Sequence, residues 1–403
     1  MLPFEDALNA VLQRSHSLAP IKLPLESCAG KVLAEPVISP VDVPPFTRAT
    51  VDGYAVHSED ARNGRAVLEV VGDFPAGSFP DVVLERGQAA RLRANTPLPQ
   101  GSNAVQREEF VRPLQEGARI GMLAPANSWE NVELKGARMK QGAIIIERGT
   151  LIRSSEIKLS AAAGFTALRV FPVPRVVVLA IGEAGESSGA MHRPDSMASR
   201  SSQIVMTALE ETGARAEFLG MAPQRADFIE RKMVDSRTCD LCLIVGAISE
   251  QVCWMIRKIM DRIGATVVFD KVAVKPGPGL LFATFEESRF FVFPEESYAV
   301  SILFDAFIYP MLRKMMGFSR YKRAATTASL ESSFKKDAQY HVLHPAVMKY
   351  AGNKAVVKSI APYSKTDMDS VSRSNAVMSI PAGISRLKKG QPVEVFLKND
   401  HAK

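Results

Sequence analysis

Long apolar runs are missing from this sequence. Its most apolar stretches, Val176–Ile181 and Leu241–Ile248, reach less than half of the ~20 residues that a membrane-spanning helix needs, so no membrane role is expected. Cysteine is scarce. Four in 403 residues cannot form a disulfide framework and fit a reducing, cytoplasmic setting. Cys239-Asp-Leu-Cys242 has C-x-x-C spacing, but it opens the run CDLCLIVGAI, which reads as a buried strand. A structural zinc site would want a second pair, and only Cys253 follows. The G-x-G-x-x-G and P-loop patterns are both absent, which argues against an ordinary dinucleotide enzyme or nucleoside triphosphatase. Blocks of basic residues are limited to Arg320–Arg323 (RYKR) and Lys388–Lys389. The net charge of +7 does not by itself make a readout device, so nucleic acid is not an expected partner. The opening MLPFEDALNAVLQR carries Glu5 and Asp6 without a basic leader. It reads as an amphipathic helix and not as a signal peptide.

What is present is core-forming material. Hydrophobic residues make up 46% and charged residues 23%, the balance of a soluble globular protein and not of a disordered one. The length predicts roughly two to four domains. Phe4, Ala7, Leu8, Val11 and Leu12 recur at helical spacing. Pro20, Pro24, Pro36, Pro40, Pro44 and Pro45 then cut the chain into short extended pieces. Residues 41–140 read as mostly β, with alternating runs such as Ala66–Val71 and Gln88–Leu92 between Gly and Pro turns. A strand at Ala143–Ile146 and a helix near Ser154–Ala163, ended by Gly164, follow.

The character changes at Phe171-Pro-Val-Pro174. Arg175–Ile181 is a continuous apolar strand suited to a sheet covered on both faces. Beyond a Gly-rich loop (Gly182–Gly189), helices are predicted near Ser201–Thr212, Asp227–Asp235, Val252–Ile263 and Ala299–Met316. They alternate with strands near Ala216–Leu219, Leu241–Val245 and Thr266–Phe269 and with a hairpin-like Leu280–Phe293. Such alternation means an α/β domain with a largely parallel sheet. After Gly317 a basic linker is predicted to lead to a small β domain over residues 331–397. His341 and His344 fall in it. Their spacing of three on a strand puts them on opposite faces, which speaks against a shared metal.

In an open α/β sheet, ligands lie beyond the carboxyl ends of the strands. Three segments occupy that place: Ile181-Gly-Glu-Ala-Gly185, Val245-Gly-Ala-Ile-Ser249 and Lys275-Pro-Gly-Pro-Gly279. The second could offer backbone amides to an anion at a helix N-terminus. The third is a stiff loop with one fixed cation. Together they suggest a phosphate-bearing ligand, although Gly- and Pro-rich turns after strands are mostly only turns. A fourth segment, Val43–Val56 (VPPFTRATVDGYAV), would place Asp52 on an exposed turn before a strand. There it serves function or hydrogen-bonds its own turn.

In this order the segments resemble the MoeA family of molybdopterin molybdenumtransferases, which includes the E domain of gephyrin. PPF…VDGYAV at 44–56 is similar to the family's PPFDNSAMDGYAV-like run. LRANTPLPQGSNAVQREE at 92–109 resembles its IMTGAPLPxGADAVV…E segment, VAVKPGPG at 272–279 its KPGKP loop, and FPEESYAVSILFDAFIYPMLRKMMG at 293–317 its LPGNPVSA…VxPxLxxLxG run. The resemblance implies an α/β plus β multidomain fold, an elongated four-domain homodimer. Its domain I would span 1–40 and 140–170 and form the dimer. Domain II would be a β insertion at 41–139, domain III a central MogA-like α/β domain at 171–318, and domain IV a C-terminal β domain at 319–403. It further implies a cleft between domain III and the partner's domain II. The family's ligands are molybdopterin or adenylylated molybdopterin, molybdate and Mg2+. Asp52 is carried over as a catalytic position. Thr96, Pro97, Gly182, Glu183, Gly246, Ser249, Lys275, Pro276 and Gly277 are carried over as ligand contacts.

Departures from the family pattern concentrate at this cleft. Ala184 replaces an acid, Ala94 and Asn95 replace a Thr-Gly pair, and Arg138 stands where a carboxylate belongs. Val252 and Trp254 replace two more carboxylates, and Glu295 and Glu296 stand at the Gly-Asn of PGNP. Cation-dependent cleavage needs oxygen ligands for a hard metal and a placed water, and such groups act as a unit. The sequence therefore predicts a MoeA-like protein of molybdenum cofactor biosynthesis that is catalytically impaired; in a working enzyme with a rearranged site, Glu183 or Glu250 would replace the lost carboxylates. The alternative is a non-catalytic dimeric scaffold for another cofactor-biosynthesis protein or an unrelated partner, as the gephyrin E domain is in part.

Overall fold

A computed structural model describes residues 1–182, 197–294, 296–360 and 369–398 of the chain. The helix Phe4–Gln13 buries Phe4, Ala7, Leu8, Val11 and Leu12 along one stripe. Glu5 and Asp6 sit in its first turn, where negative charge suits the helix dipole. Its buried stripe joins one core with Phe304, Phe307, Met311 and Met315 from the later helical segment. The Phe4 ring lies 5.4 Å edge-on from Phe307 and 4.2 Å from the His341 ring.

The proline-rich stretch that follows forms short strands that pair with chain far downstream. Ile21–Pro24 and Val32–Leu33 flank Ala167–Phe171, and Val37–Ile38 pairs with Ile144–Ile146. The segments before and after the insertion thus close on one small core of Leu33, Val37, Ile146, Ile152, Leu168 and Val170. The insertion itself is a six-stranded sheet. Its order is Ala104–Arg107, Gly53–Val56, Gln88–Leu92, Val67–Phe74, Arg119–Met122 and Val111–Leu114. Alternate residues serve its two faces: Val56, Ala89 and Ala104 pack on one side, Ala55, Ala90 and Val105 on the other.

In the α/β unit the sheet order is Arg215–Ala222, Arg175–Ile181, Leu241–Gly246, Ser288–Val292, Leu281–Phe285 and Thr266–Phe269. The first four strands are parallel. Val176, Val178, Leu241 and Leu243 face Val205 and Leu209 of the helix Met197–Thr212. Val177, Leu179, Cys242 and Ile244 face Ile229 and Met233 of Ala226–Asp235 and Ile256 and Ile259 of Glu250–Ile263. Each such fully buried aliphatic side chain contributes about 1.5–3 kcal/mol. Cys239 and Cys242 are free thiols in this core. The predicted single helix near Ala299–Met316 is interrupted. Ser297–Leu303 and Tyr309–Met315 are joined by a wide π turn at Phe304–Ile308. Pro310 stands two residues past that turn; it has no N–H to return to the preceding turn, and its ring crowds the carbonyl four residues back.

The C-terminal unit is a closed barrel. His341–Ala351 pairs with both Lys354–Ser359 and Ala376–Ile380, and Ala325–Leu330 and Pro392–Leu397 complete the ring. Ala325–Leu330 corrects the expected linker. Its alternation is carried by small residues, with Ala328 and Leu330 pointing inward, so the apolar signal is weak. A short helix, Asp369–Arg373, was not expected either. No helix among the described residues is long and apolar enough to cross a membrane.

His341 and His344 point to opposite sides of their strand. The His341 ring exchanges a 2.9 Å hydrogen bond with Ser379, and His344 lies edge-on to Phe334. Burial pulls each down to about 4. The unfolded chain, with histidines near 6.5, therefore binds more protons between pH 6.5 and 4. Stability is complete above pH 6.5 and falls as the pH drops toward 4, by on the order of 3 kcal/mol per histidine. Urea unfolding across this range should show the decline, and a His344→Leu variant should lose about half of it. An unchanged pH profile in that variant would refute the assignment.

Candidate functional site

The carboxyl edge of the parallel sheet forms a crevice where neighbouring connections leave to opposite faces, because the helix after Arg175–Ile181 and the helix after Leu241–Gly246 cover different sides. Ile181 and Gly246 are register partners. Beyond them Gly182 N–H bonds the Ala222 carbonyl at 3.1 Å and Ala247 N–H the Ile181 carbonyl at 2.8 Å. Gly246 turns at φ 114, a conformation closed to most side chains. Ser249 then caps the helix Glu250–Ile263, its Oγ accepting from Val252 N–H at 3.4 Å. Gln224, which the sequence did not single out, donates from Nε2 to the Ala247 carbonyl at 3.2 Å. Glu250 is exposed in the first turn of that helix, while Glu183 lies outside the described residues.

The Lys275-Pro276-Gly277 loop reaches the same edge from the side. Phe293 N–H bonds the Ile244 carbonyl at 2.9 Å, which puts Pro294 just past the sheet edge. Gly277 has φ +83, and a Cβ there would lie 2.5 Å from Leu303 Cδ1 and 3.0 Å from Pro294 Cγ. Only glycine lets the loop seat so closely. Lys275 is not a free cation. Its strand pairs with His341–Val342 of the barrel, its Nζ lies 3.3 Å from Asp337, and it sits 4.1 Å over the Tyr340 ring. The Asp337 carboxyl is held below its ordinary range by the Gln339 N–H first and by Lys275 second.

Asp52 stands on another body, the insertion sheet. Its side chain is half exposed on the turn before Gly53–Val56. It bonds across to a second loop and not to its own turn: Oδ1 accepts from Ala94 N–H at 2.8 Å and Oδ2 from Arg93 at 3.2 Å. The Ala94 N–H, followed by Arg93, holds the carboxyl below its usual value. Arg93 also reaches Glu108 at 3.2 Å, and Arg91 links Glu108 to Asp73. This ladder was missed in the sequence; its signal was the i, i+2 spacing of Arg91 and Arg93 on one strand face. Asn95 adopts φ 68, which asparagine tolerates better than most residues. Thr96 is wholly buried, and its Oγ1 has no partner among the described residues. Pro97 bridges to Arg48. No hydrogen bond or ion pair joins the Asp52 turn to the α/β crevice among the described residues.

The family model described as the MoeA N-terminal region (domain I and II) matches residues 2–164. The chain is 24% identical to a molybdopterin molybdenumtransferase of Staphylococcus epidermidis over 99% of this chain and 96% of the relative. It is 26% identical to one of a Nostoc species, over 91% and 86%. The crystal structure of a molybdopterin biosynthesis MoeA protein from Pyrococcus horikoshii superposes with a TM-score of 0.83 at 25% identity, covering 98% and 99% of the two chains. Residues 2–164 carry the MoeA N-terminal region, and the relatives and the superposition support the MoeA family for the chain as a whole.

Several departures from the MoeA pattern have structural employment. Arg138 donates to Glu133 at 2.5 Å, and Arg48 holds the same carboxylate at 2.9 Å. Burial works against the Glu133 charge, but the two arginines outweigh it and lower its pKa. Val252 is buried in the core at 4% exposure, whereas Trp254 is 64% exposed beside Lys258. Among the described residues no three His, Cys, Asp or Glu side chains converge. Gly53 tests the insertion sheet. A Cβ there would lie 2.1 Å from the Gln106 carbonyl oxygen, which is backbone of the paired strand. Gly53→Ala should cost about 3 kcal/mol in urea unfolding; a loss below about 0.5 kcal/mol would mean that the two strands are not so closely apposed.

Proposed function

We propose that this protein works in molybdenum cofactor biosynthesis, binds a molybdopterin-type phosphate ligand at the carboxyl edge of its α/β sheet, and is impaired in metal-dependent cleavage of the adenylylated form. The observation that carries this reading is the segment Gly246–Trp254. It keeps the turn and the Ser249-capped helix start that suit an anion, yet apart from Glu250 it offers a core valine and an exposed tryptophan where metal-dependent chemistry wants oxygen ligands. The names of the relatives and the superposition over nearly the whole chain support the pathway. In this reading Gly182, Gly246, Ser249 and Gly277 shape the phosphate site. Lys275 supplies its cation by exchanging Asp337 for the ligand phosphate, with Pro276 stiffening the loop. Asp52 and Pro97 come from the insertion of a second copy, with Thr96 buried behind them, and Glu183 and Glu250 are the remaining acids.

A single-turnover assay tests it. Protein is mixed with adenylylated molybdopterin, molybdate and Mg2+, adenylate release is followed, and the Staphylococcus epidermidis relative serves as control. Release should be at least ~100-fold slower than in the control, since missing members of a catalytic unit cost orders of magnitude. Ligand binding, measured separately by calorimetry, should persist and weaken in Lys275→Ala. Release at the control rate would remove the impairment; absent binding would remove the cofactor role and favour the scaffold alternative.

A homodimer is part of the proposal. Ile38 and Ile144 are register partners on one small sheet and remain 47% and 53% exposed, with Val41 nearby in sequence at 46%. Apolar neighbours of this kind mark interaction surfaces. Light scattering should give twice the chain mass, and Ile144→Glu should shift it toward the monomer. A monomeric parent would overturn this element.

A further inference from the structure

A cavity of about 230 Å³ lies where the chain's first helix, the helical segment around residues 297–315 and the barrel meet. It shares no residue with the crevice described above. Phe4 and Leu8 enter from the first helix, Ile302 from the middle segment, and Leu343 and Phe396 from the barrel. Most of its surface is therefore apolar, and a few polar groups converge on it, the composition of a small-molecule site.

The polar groups are uneven. Arg323 gives both Nε and Nη2 to a single oxygen of Asp305, at 3.2 and 2.7 Å, and its guanidinium lies 3.6 Å over the Tyr309 ring. It is a fixed, part-buried cation. Lys398 is part-buried too, yet among the described residues its Nζ bonds the Val371 carbonyl at 2.6 Å and no carboxylate. Burial lowers Lys398 to about 8, with Asp305 opposing and Arg323 reinforcing that shift, so the three charges sense one another. Two cations thus share one carboxylate at the inner wall. Glu5 and Glu394 are exposed and belong to the rim, as does Lys322.

We propose that this cavity binds a small amphipathic carboxylate, its charge at Lys398 and Arg323 and a short apolar body against Phe4, Leu8 and Phe396. At about 30 Å³ per water-sized group the space holds about eight non-hydrogen atoms. An occupant touches the start, middle and end of the chain, so its binding raises the thermal midpoint of the whole chain.

Sodium hexanoate is the probe, with 1-hexanol and hexylamine as uncharged and cationic controls of equal chain length. Calorimetry on the full chain at pH 7 should give hexanoate a Kd of about 1 mM, at least ten-fold tighter than either control. Raising the pH to 9.5 discharges Lys398 and should weaken hexanoate but not hexanol. Lys398→Met, which keeps the stem, should cost ten-fold for hexanoate alone. Ala325→Phe, at an exposed position on the cavity wall, should block all three probes and guards against a Lys398 variant that fails to fold. Hexylamine binding as well as hexanoate, an unaffected Lys398→Met, or no hexanoate binding up to about 10 mM each overturns the proposal.

Discussion

Burial of the strands Arg175–Ile181 and Leu241–Gly246 on both faces constrains everything around the candidate site. Nearly every residue of the two strands is inaccessible, so helices must cover both sides and the connections must leave toward opposite faces. A ligand can then reach backbone polar groups only at the carboxyl edge. Gly182, Gly246 and Ser249 end up there because the strands stop there, and Pro294 and Gly277 join them because the neighbouring parallel strand ends at the same level. The same burial leaves the edge residues free to vary. The apolar faces do not include the edge residues, so substitution at the edge leaves the sheet intact.

The insertion shows where its charge resides. Arg48 and Arg138 embrace Glu133, and Arg91 and Arg93 tie together Asp52, Asp73 and Glu108. Most of these pairs are partly exposed and individually weak. Their value is positional, because Arg93 and the Ala94 N–H fix the Asp52 carboxylate without neutralising its exposed side. An acid set this way remains ionised and oriented. That suits a ligand contact as well as it suits a structural brace, and the difference lies in what stands opposite it.

Legibility followed signal strength. The strand Arg175–Ile181 was readable to the residue because six apolar residues run on from Arg175 between turn signals, and the first helix was readable as a helix because its apolar spacing is helical. The barrel strand Ala325–Leu330 was not, because small residues carry its inward face. The π turn at Phe304–Ile308 was also hidden, since Pro310 signals a disturbance without its form. Among site residues, the turn segments were legible from Gly and Pro placement. Their partners were not. Arg93, Glu108, Asp337 and Tyr340 are long-range contacts that no local pattern encodes.

The partition of the candidate residues has its own consequence. The Asp52 turn belongs to the insertion sheet and Ser249 to the α/β sheet, two cores with separate packing. Arg93 and the Ala94 N–H hold the Asp52 turn to its own sheet. No hydrogen bond or ion pair joins the two groups within the chain among the described residues. In the proposed dimer a two-fold axis can place one chain's insertion against the other's sheet edge. The exposed Ile38–Ile144 pair supplies apolar surface in the segments that bracket the insertion. A contact there would fix the insertion's direction, so association through that face and completion of the proposed site are one geometric event.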